Sequence, residues 1–215
     1  MNSSRDVSIS NCFIESGDDS IVVRANNRSL AENKVCERVV VANCTLRSWA
    51  NAIRLGWVND GTIRNCLFTN IAIWDSVNGV GIILPGVEDW NKYDFGRERT
   101  RVENIQFMNI RMDGIYAHPV KVRIADGPTS LVDRVCDVSF VNVRATGLEL
   151  PLFRGRRDAP VERFSFDGCS FRKVGDALLP DALRHGAYWE RVKDGQSAHT
   201  NGFSFVNTDF QNEAR

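Results

Sequence analysis

Short segments in which apolar and polar residues alternate recur along the whole chain. In the first of them, Val7 and Ile9 alternate with serines, and Cys12 follows Asn11. Alternation with a period of two is typical of a β-strand with one buried face, and helical spacing fits these segments poorly. The seven copies are VSISNC (7–12), VVVANC (39–44), GTIRNC (61–66), IQFMNI (105–110), VSFVNV (138–143), FSFDGC (164–169) and FSFVNT (203–208).

A second strand is predicted after each of the early copies, and these strands should form another sheet. They lie in the segments 20–25, 51–57, 79–84 and 118–124. Single-strand units at such irregular spacing cannot bury an apolar face alone, so they must stack on their neighbours. The pattern therefore predicts an all-β fold, a parallel β-helix of about seven coils that forms one domain over residues 1–215. Only residues 178–188 are expected to form a short helix.

The residues that close each copy are predicted to be structural. An inward Asn at a bend can satisfy backbone groups of the turn and the amide of the next coil. The residue after it is a cysteine in four copies, and we interpret these cysteines as an internal stack of small side chains. A disulfide framework is the alternative, but equivalent residues on adjacent turns have parallel Cβ vectors, which does not suit a disulfide. The four are Cys12, Cys44, Cys66 and Cys169, whereas Cys36 and Cys136 stay unassigned.

Composition adds few constraints. Lys+Arg and Asp+Glu both total 27, so no global field favours nucleic acid or an anionic membrane, and no apolar run is long enough to span a bilayer. The three histidines are scattered and no Cys-x-x-Cys pair occurs, so neither a metal site nor a cofactor is predicted. A polyanion ligand would need a local basic cleft, and a monomer is expected.

The segment with candidate chemistry is the turn Gly17-Asp18-Asp19. Two adjacent carboxyl groups cannot both ionise cheaply unless they are solvated or paired, so one can hold a proton as a general acid. Neighbouring side chains of a strand point to opposite faces, so a bend at Asp18 and Asp19 is required for both to reach one cleft. The alternative is an ordinary solvated Asp-Asp turn.

Residues 10–24, SNCFIESGDDSIVVR, resemble the polygalacturonase family, glycoside hydrolase family 28, and CERVVVANCTL (36–46) resembles the next coil of that family. The likeness covers residues 2 to 85, the region that carries the candidate site, and only the generic repeat persists beyond it. The resemblance implies a right-handed parallel β-helix that hydrolyses α-linked uronic acid or rhamnogalacturonan chains with inversion. It implies that the partner is a polysaccharide or oligosaccharide. It also implies that Asp18 is the general acid and Asp19 a carboxylate that activates water.

The chain departs from this family at three places. The family's third aspartate, in an Asn-Thr-Asp motif upstream of the pair, would fall before Met1, so N-terminal coils and a cap are expected to be missing. Asn51 stands where the family has the histidine of Gly-His-Gly. Gly81-Ile82-Ile83 stands where the family has the Arg-Ile-Lys motif that binds the uronate carboxylate. Neither Gly nor Ile donates a charge-assisted hydrogen bond, so smooth polygalacturonate is predicted to be a poor substrate.

Further residues are candidates for substrate binding. Arg24 and Arg54 follow the candidate turn on successive coils, where they either restore positive charge or lie on the rim with solvated heads. Trp49 and Trp57 flank Asn51, where they either stack on a sugar or pack under a loop. The aromatic residues Trp74, Trp90 and Tyr93 lie on or near a long insertion that could form a wall of the cleft.

The leading functional prediction is an inverting glycoside hydrolase that acts on a pectin-related polysaccharide other than smooth polygalacturonate. One alternative is a catalytically inactive carbohydrate-binding β-helix. A second is a polysaccharide lyase, an activity that needs calcium and a basic proton acceptor, and to which Asp18, Asp19 and Glu15 could contribute part of a metal cluster. The chain does not specify a location, and the full-length parent is expected to be extracellular or periplasmic.

Overall fold

The computed structural model describes residues 1–27, 30–57, 60–84, 99–125, 131–174 and 197–212. None of these residues lies in a helix, and thus none forms a helix long and apolar enough to cross a membrane. The helix predicted at 178–188 lies outside the described residues. The described residues form sixteen strands, namely β1 (Arg5–Ser10), β2 (Phe13–Ser16), β3 (Ile21–Val23), β4 (Cys36–Ser48), β5 (Asn51–Leu55), β6 (Thr62–Ser76), β7 (Asn78–Leu84), β8 (Thr100–Ile115), β9 (Val120–Ile124), β10 (Val132–Gly147), β11 (Leu152–Arg154), β12 (Val161–Asp167), β13 (Ser170–Lys173), β14 (Thr200–Asn201), β15 (Ser204–Val206) and β16 (Asp209–Asn212).

The strands form two sheets in which every pairing between strands is parallel. The large sheet has eleven strands, and its main path runs β1-β4-β6-β8-β10-β12-β14. The small sheet has five strands in the order β11-β9-β7-β5-β3. The prediction of a second sheet is confirmed, because the segments 20–25, 51–57, 79–84 and 118–124 contain β3, β5, β7 and β9.

From β3 to β12 the chain alternates between the sheets, and each strand pairs with the one two elements further along. Connections from the large to the small sheet contain only one to four residues, as in the 17–20 turn before β3. Connections in the other direction contain six to fifteen residues. This alternation of parallel strands is compatible with a parallel β-helix.

The long strands of the large sheet bend where a residue adopts a left-handed backbone. In β4, for example, Arg38 and Asn43 both have φ of 55°. Asn tolerates this region better than other non-glycine residues, which explains why it recurs at the bends. The sequence pattern predicted short separate strands, whereas β4, β6, β8 and β10 continue through their bends for 13 to 16 residues.

An asparagine ladder follows one set of bends. The amide Nδ2 of Asn70 donates to Asn43 Oδ1 at 3.2 Å, that of Asn109 donates to Asn70 at 3.2 Å, and that of Asn142 donates to Asn109 at 2.9 Å. These side chains are exposed, so the expectation of inward asparagines is wrong. The physical reason is that a left-handed bend turns the side chain out of the sheet toward solvent.

The predicted alignment of Asn65 with Asn43 and Asn109 is also wrong. Asn65 belongs to the other set of bends, where Asn104 Nδ2 donates to its Oδ1 at 2.7 Å. Consequently Cys66 pairs with Ile105, whereas Cys44 pairs with Ile71. The other cysteines predicted for the internal stack, Cys12, Cys44 and Cys169, do share one register level, and all six cysteines are free.

Five strands of the large sheet, β6, β8, β10, β12 and β15, each contribute one phenylalanine to a continuous stack. Ring centroids are 5.0 Å apart from Phe68 to Phe107 and 4.9 Å apart from Phe107 to Phe140. The stack continues to Phe166 and Phe205 at 5.0 and 5.1 Å. Offset parallel rings at this spacing contribute beyond their burial, so the stack helps to fix the register between strands.

Candidate functional site

The Asp18-Asp19 pair lies in the short turn between β2 and β3, at the edge of the small sheet. Ser16 Oγ accepts a hydrogen bond from the Asp18 amide at 3.2 Å, and Ser48 Oγ donates to the Asp18 carbonyl at 2.7 Å. These contacts hold the bend that the sequence analysis required. Asp18 is exposed and Asp19 is half-buried.

The Asp19 carboxylate is fixed by the neighbouring strand. Its Oδ1 accepts hydrogen bonds from the Asn51 backbone amide at 2.9 Å and from Asn51 Nδ2 at 2.7 Å. Its Oδ2 lies 3.6 Å from Arg54 Nη1. All three partners are donors, which matches a carboxylate acting as acceptor only.

A polar stack continues from Asp19 along the start of the small-sheet strands. We use this name for Asp19, Asn51, Asn78 and His118, of which Asn51 and Asn78 are buried. Asn78 Nδ2 donates to Asn51 Oδ1 at 3.2 Å, and the His118 amide donates to Asn78 Oδ1 at 3.3 Å. His118 Nδ1 in turn lies 2.7 Å from the Leu150 carbonyl oxygen. Sequence reasoning missed Asn78 and His118, and their only signal was a polar residue at, or directly before, the start of each predicted second strand.

Two of the departures from the polygalacturonase pattern are linked physically. A Cβ atom placed on Gly81 would overlap Asn51 Oδ1 and approach Asn51 Cγ to 2.9 Å. The Asn51 side chain is buried and holds both Asp19 and Asn78, so it has little freedom to move. Asn51 therefore requires glycine at 81, and a side chain at 81 would exclude Asn51 from its place.

Arg54 is buried rather than solvated at a rim. Its Nε donates to the Gly56 carbonyl at 3.2 Å, its Nη2 donates to the Ile83 carbonyl at 3.1 Å, and its guanidinium lies 4.1 Å from the centre of the Trp57 ring. Burial lowers the pKa of Arg54, and the negative charges of Asp19, Asp18 and Asp60 oppose this shift. Both carboxylates of the turn thus act on one guanidinium.

Arg24 is held by a residue that the sequence analysis did not select. Its Nε donates to Asp60 Oδ2 at 2.7 Å, and the same oxygen accepts the Trp57 amide at 2.8 Å. The Asp60 side chain is fully buried. Burial raises the pKa of Asp60, and the hydrogen bond from Arg24 opposes that shift. In the sequence Asp60 is one more polar residue in a turn, and only the fold brings it to Arg24.

The tryptophans occupy different places. Trp57 lies beside Arg54, whereas Trp49 is half-buried and its amide donates to the Ser16 carbonyl at 3.1 Å. Trp74 lies within β6, not on an insertion, and Arg111 lies 6.0 Å from the centre of its ring. Trp90 and Tyr93 lie outside the described residues.

Positive charge also lies on β9. Lys121 pairs in register with Gly81, and Arg123 pairs with Ile83. Both are half-buried, and they alternate with the buried residues Val120, Val122 and Ile124, so they lie on the outer face of the small sheet. The strand next to Gly81 and Ile83 thus carries two cationic residues at the same register positions.

Glu15 does not extend the carboxylate pair. Its Oε1 lies 3.4 Å from Arg47 Nη1 on the large sheet. Over the described ranges, no group of three or more His, Cys, Asp or Glu side chains is arranged to hold a metal ion.

Comparison with known proteins adds no identification, because no protein-family model, curated protein or solved structure matches the chain.

Proposed function

We propose that the chain is a right-handed parallel β-helix carrying an inverting glycoside hydrolase site for a pectin-related polysaccharide. The alternation of parallel strands between two sheets supports the architecture. The observation that carries the functional proposal is the turn itself, where an exposed Asp18 adjoins an Asp19 held by Asn51 and Arg54. Inverting glycosidases use two carboxyl groups, one as acid and one as base.

The two carboxyl groups suit different roles. Asp18 is exposed and its carboxyl makes no hydrogen bond to any described residue, so a ligand can reach it, and we assign it the general acid. Asp19 accepts hydrogen bonds at Oδ1 and faces Arg54 through Oδ2, so we assign it the carboxylate that orients water. In this proposal Asp18 protonates the glycosidic oxygen of the leaving group, while water activated by Asp19 attacks the anomeric carbon from the opposite face.

The cations around the turn favour an acidic saccharide. Arg54 lies beside Asp19, and Lys121 and Arg123 lie two strands further on the same sheet, about 10 Å away at the usual strand spacing. Gly81 and Ile83 present no cation on the intervening strand. This spacing favours a polysaccharide in which charged sugars alternate with uncharged sugars, or in which the sugars carry substituents, rather than smooth polygalacturonate.

Hydrolysis is tested by measuring release of reducing ends from a panel of pectic and other acidic polysaccharides. Asp18→Asn and Asp19→Asn should each abolish release, while a chelator should have no effect. Asp167→Asn is the matched control, because Asp167 is an exposed carboxylate at the end of β12. Equal activity in Asp18→Asn and wild type would refute the assigned roles, and an unsaturated, ultraviolet-absorbing product would indicate elimination by a lyase.

A second candidate is carbohydrate binding without turnover. The observation that favours it is the full occupation of Asp19 Oδ1 by Asn51, at the position where the resembling family has a histidine. Calorimetric titration with the same polysaccharides separates the two candidates. Binding without any reducing ends, retained in Asp18→Asn, would establish this second function in place of hydrolysis.

A further inference from the structure

Asp60 is a buried carboxylate at the other end of the small-sheet strands from the Asp18-Asp19 turn, because the turn precedes β3 whereas Asp60 follows β5. Its side chain is fully buried, and its backbone carbonyl accepts a hydrogen bond from Thr100 Oγ1 at 2.6 Å. Hydrogen bonds from Arg24 and from the backbone amides of Trp57 and Ala25 oppose the rise that burial causes in the pKa of this carboxyl group. Burying a carboxylate is costly unless it is paired and hydrogen-bonded, so such a group calls for an explanation beyond packing.

The other carboxylate oxygen, Oδ2, connects two elements of the proposed site. It accepts Arg24 Nε at 2.7 Å and the Trp57 amide at 2.8 Å. The Trp57 ring in turn lies 4.1 Å from the Arg54 guanidinium, and Arg54 faces Asp19. One oxygen atom thus orders Arg24 directly and Arg54 through the tryptophan.

We propose that Asp60 is a positioning residue that sets the places of Arg24 and Arg54 beside the Asp18-Asp19 turn. The Arg24 side chain has 21% of its surface accessible, so a ligand can reach it while Nε is held. A side chain that is already held in place loses less freedom when it binds a ligand, and preorganisation of this kind raises affinity. This inference rests on the proposed function for the identity of the ligand, but not for the geometry.

The first test uses the whole chain. It measures KM and kcat for a polysaccharide that the wild type cleaves, or Kd for one that the wild type only binds. Asp60→Asn keeps the shape and removes the charge, and it should raise KM or Kd about tenfold while kcat changes by less than about threefold. Asp167→Asn should change neither. Arg24→Lys should raise KM to a similar degree, because lysine lacks the Nε donor, and Asp60→Asn combined with it should add little further loss. Losses that multiply in the double variant, or a fall in kcat alone, would overturn the proposal.

The second test does not depend on a saccharide. The Nε–H signal of Arg24 in the nuclear magnetic resonance spectrum should be protected from solvent exchange in the wild type and should exchange rapidly in Asp60→Asn. Absence of saccharide binding in the wild type would refute the proposed function, and the exchange result would still decide the role of Asp60. Protection of Arg24 Nε–H that persists in Asp60→Asn would overturn the inference. If Asp60→Asn does not fold, Arg24→Lys decides the question, because unchanged KM or Kd in that variant would likewise overturn it.

Discussion

Replacing Gly81 with alanine is expected to break the polar stack that holds Asp19. The added Cβ would overlap Asn51 Oδ1, and the displaced amide would lose its hydrogen bonds to Asp19 and Asn78. The bond to the charged Asp19 contributes about 1.5–3 kcal/mol, and an Asn78 Nδ2 left buried without an acceptor costs about 1–3 kcal/mol. Alanine recovers about 0.4–1 kcal/mol by restricting the unfolded chain. The net expected loss in the free energy of unfolding is about 1.5–5.5 kcal/mol.

Urea unfolding followed by circular dichroism measures this loss, and the chain contains a matched control. A Cβ atom on Gly17 would meet nothing within 4 Å, so Gly17→Ala should change stability by less than about 0.5 kcal/mol. In an Asn51→Ala background the obstacle is gone, and Gly81→Ala should then add less than about 0.5 kcal/mol. A Gly81→Ala variant as stable as the wild type, or one with the same cost in both backgrounds, would refute the reasoning.

Three further predictions concern the fold. Phe107→Ala should lower the free energy of unfolding by about 3–5 kcal/mol, because the ring is fully buried between two others, whereas Phe13→Ala at a 69% exposed site should have little effect. Similar urea midpoints for the two would contradict this. Asn109→Gly and Asn109→Ala both remove a rung of the asparagine ladder. Because position 109 has a φ of 51°, the free energy of unfolding should be about 1 kcal/mol lower for the alanine variant than for the glycine variant. The hydrogen bond from Arg64 lowers the pKa of Glu37 below its ordinary 4.5. Ionised Glu37 therefore stabilises the fold above pH 4.5, and this contribution is lost as the pH falls through the lowered pKa. Glu37→Gln should flatten the dependence of stability on pH over this acidic range, and an unchanged pH profile would count against the prediction.

The strands could be predicted because alternation is a local property. Each predicted second strand contains a strand of the small sheet, and each of the seven copies overlaps a different strand of the large sheet. The alignment failed at β6, where Asn65 and Asn70 both occupy bends and either could serve as the repeated asparagine. The register between β4 and β6, in which Cys44 pairs with Ile71, distinguishes them, and that register is a property of contacts between coils.

In the candidate site too, the local motif could be predicted and the contacts between coils could not. Asp18 and Asp19 were recognisable from a local motif, but Asn78, His118 and Asp60 enter the site through neighbours 27 to 40 positions away or on other strands. Asp60, for instance, is separated from Arg24 by 36 positions. Residue types in isolation carry no information about such pairs. Arg54 shows the same limit, since its burial depends on Trp57 and on the Ile83 carbonyl.

The unequal connections between the two sheets restrict how a protein of this architecture can diverge. Insertions and deletions are tolerated where a connection is already long, on the side that carries Trp57 and Asp60. On the opposite side the turns of one to four residues are tied into the ladder of strands, so a single added residue would shift the register there. Relatives that differ in loop length would therefore keep the Asp18-Asp19 edge in place and reshape the wall that faces it.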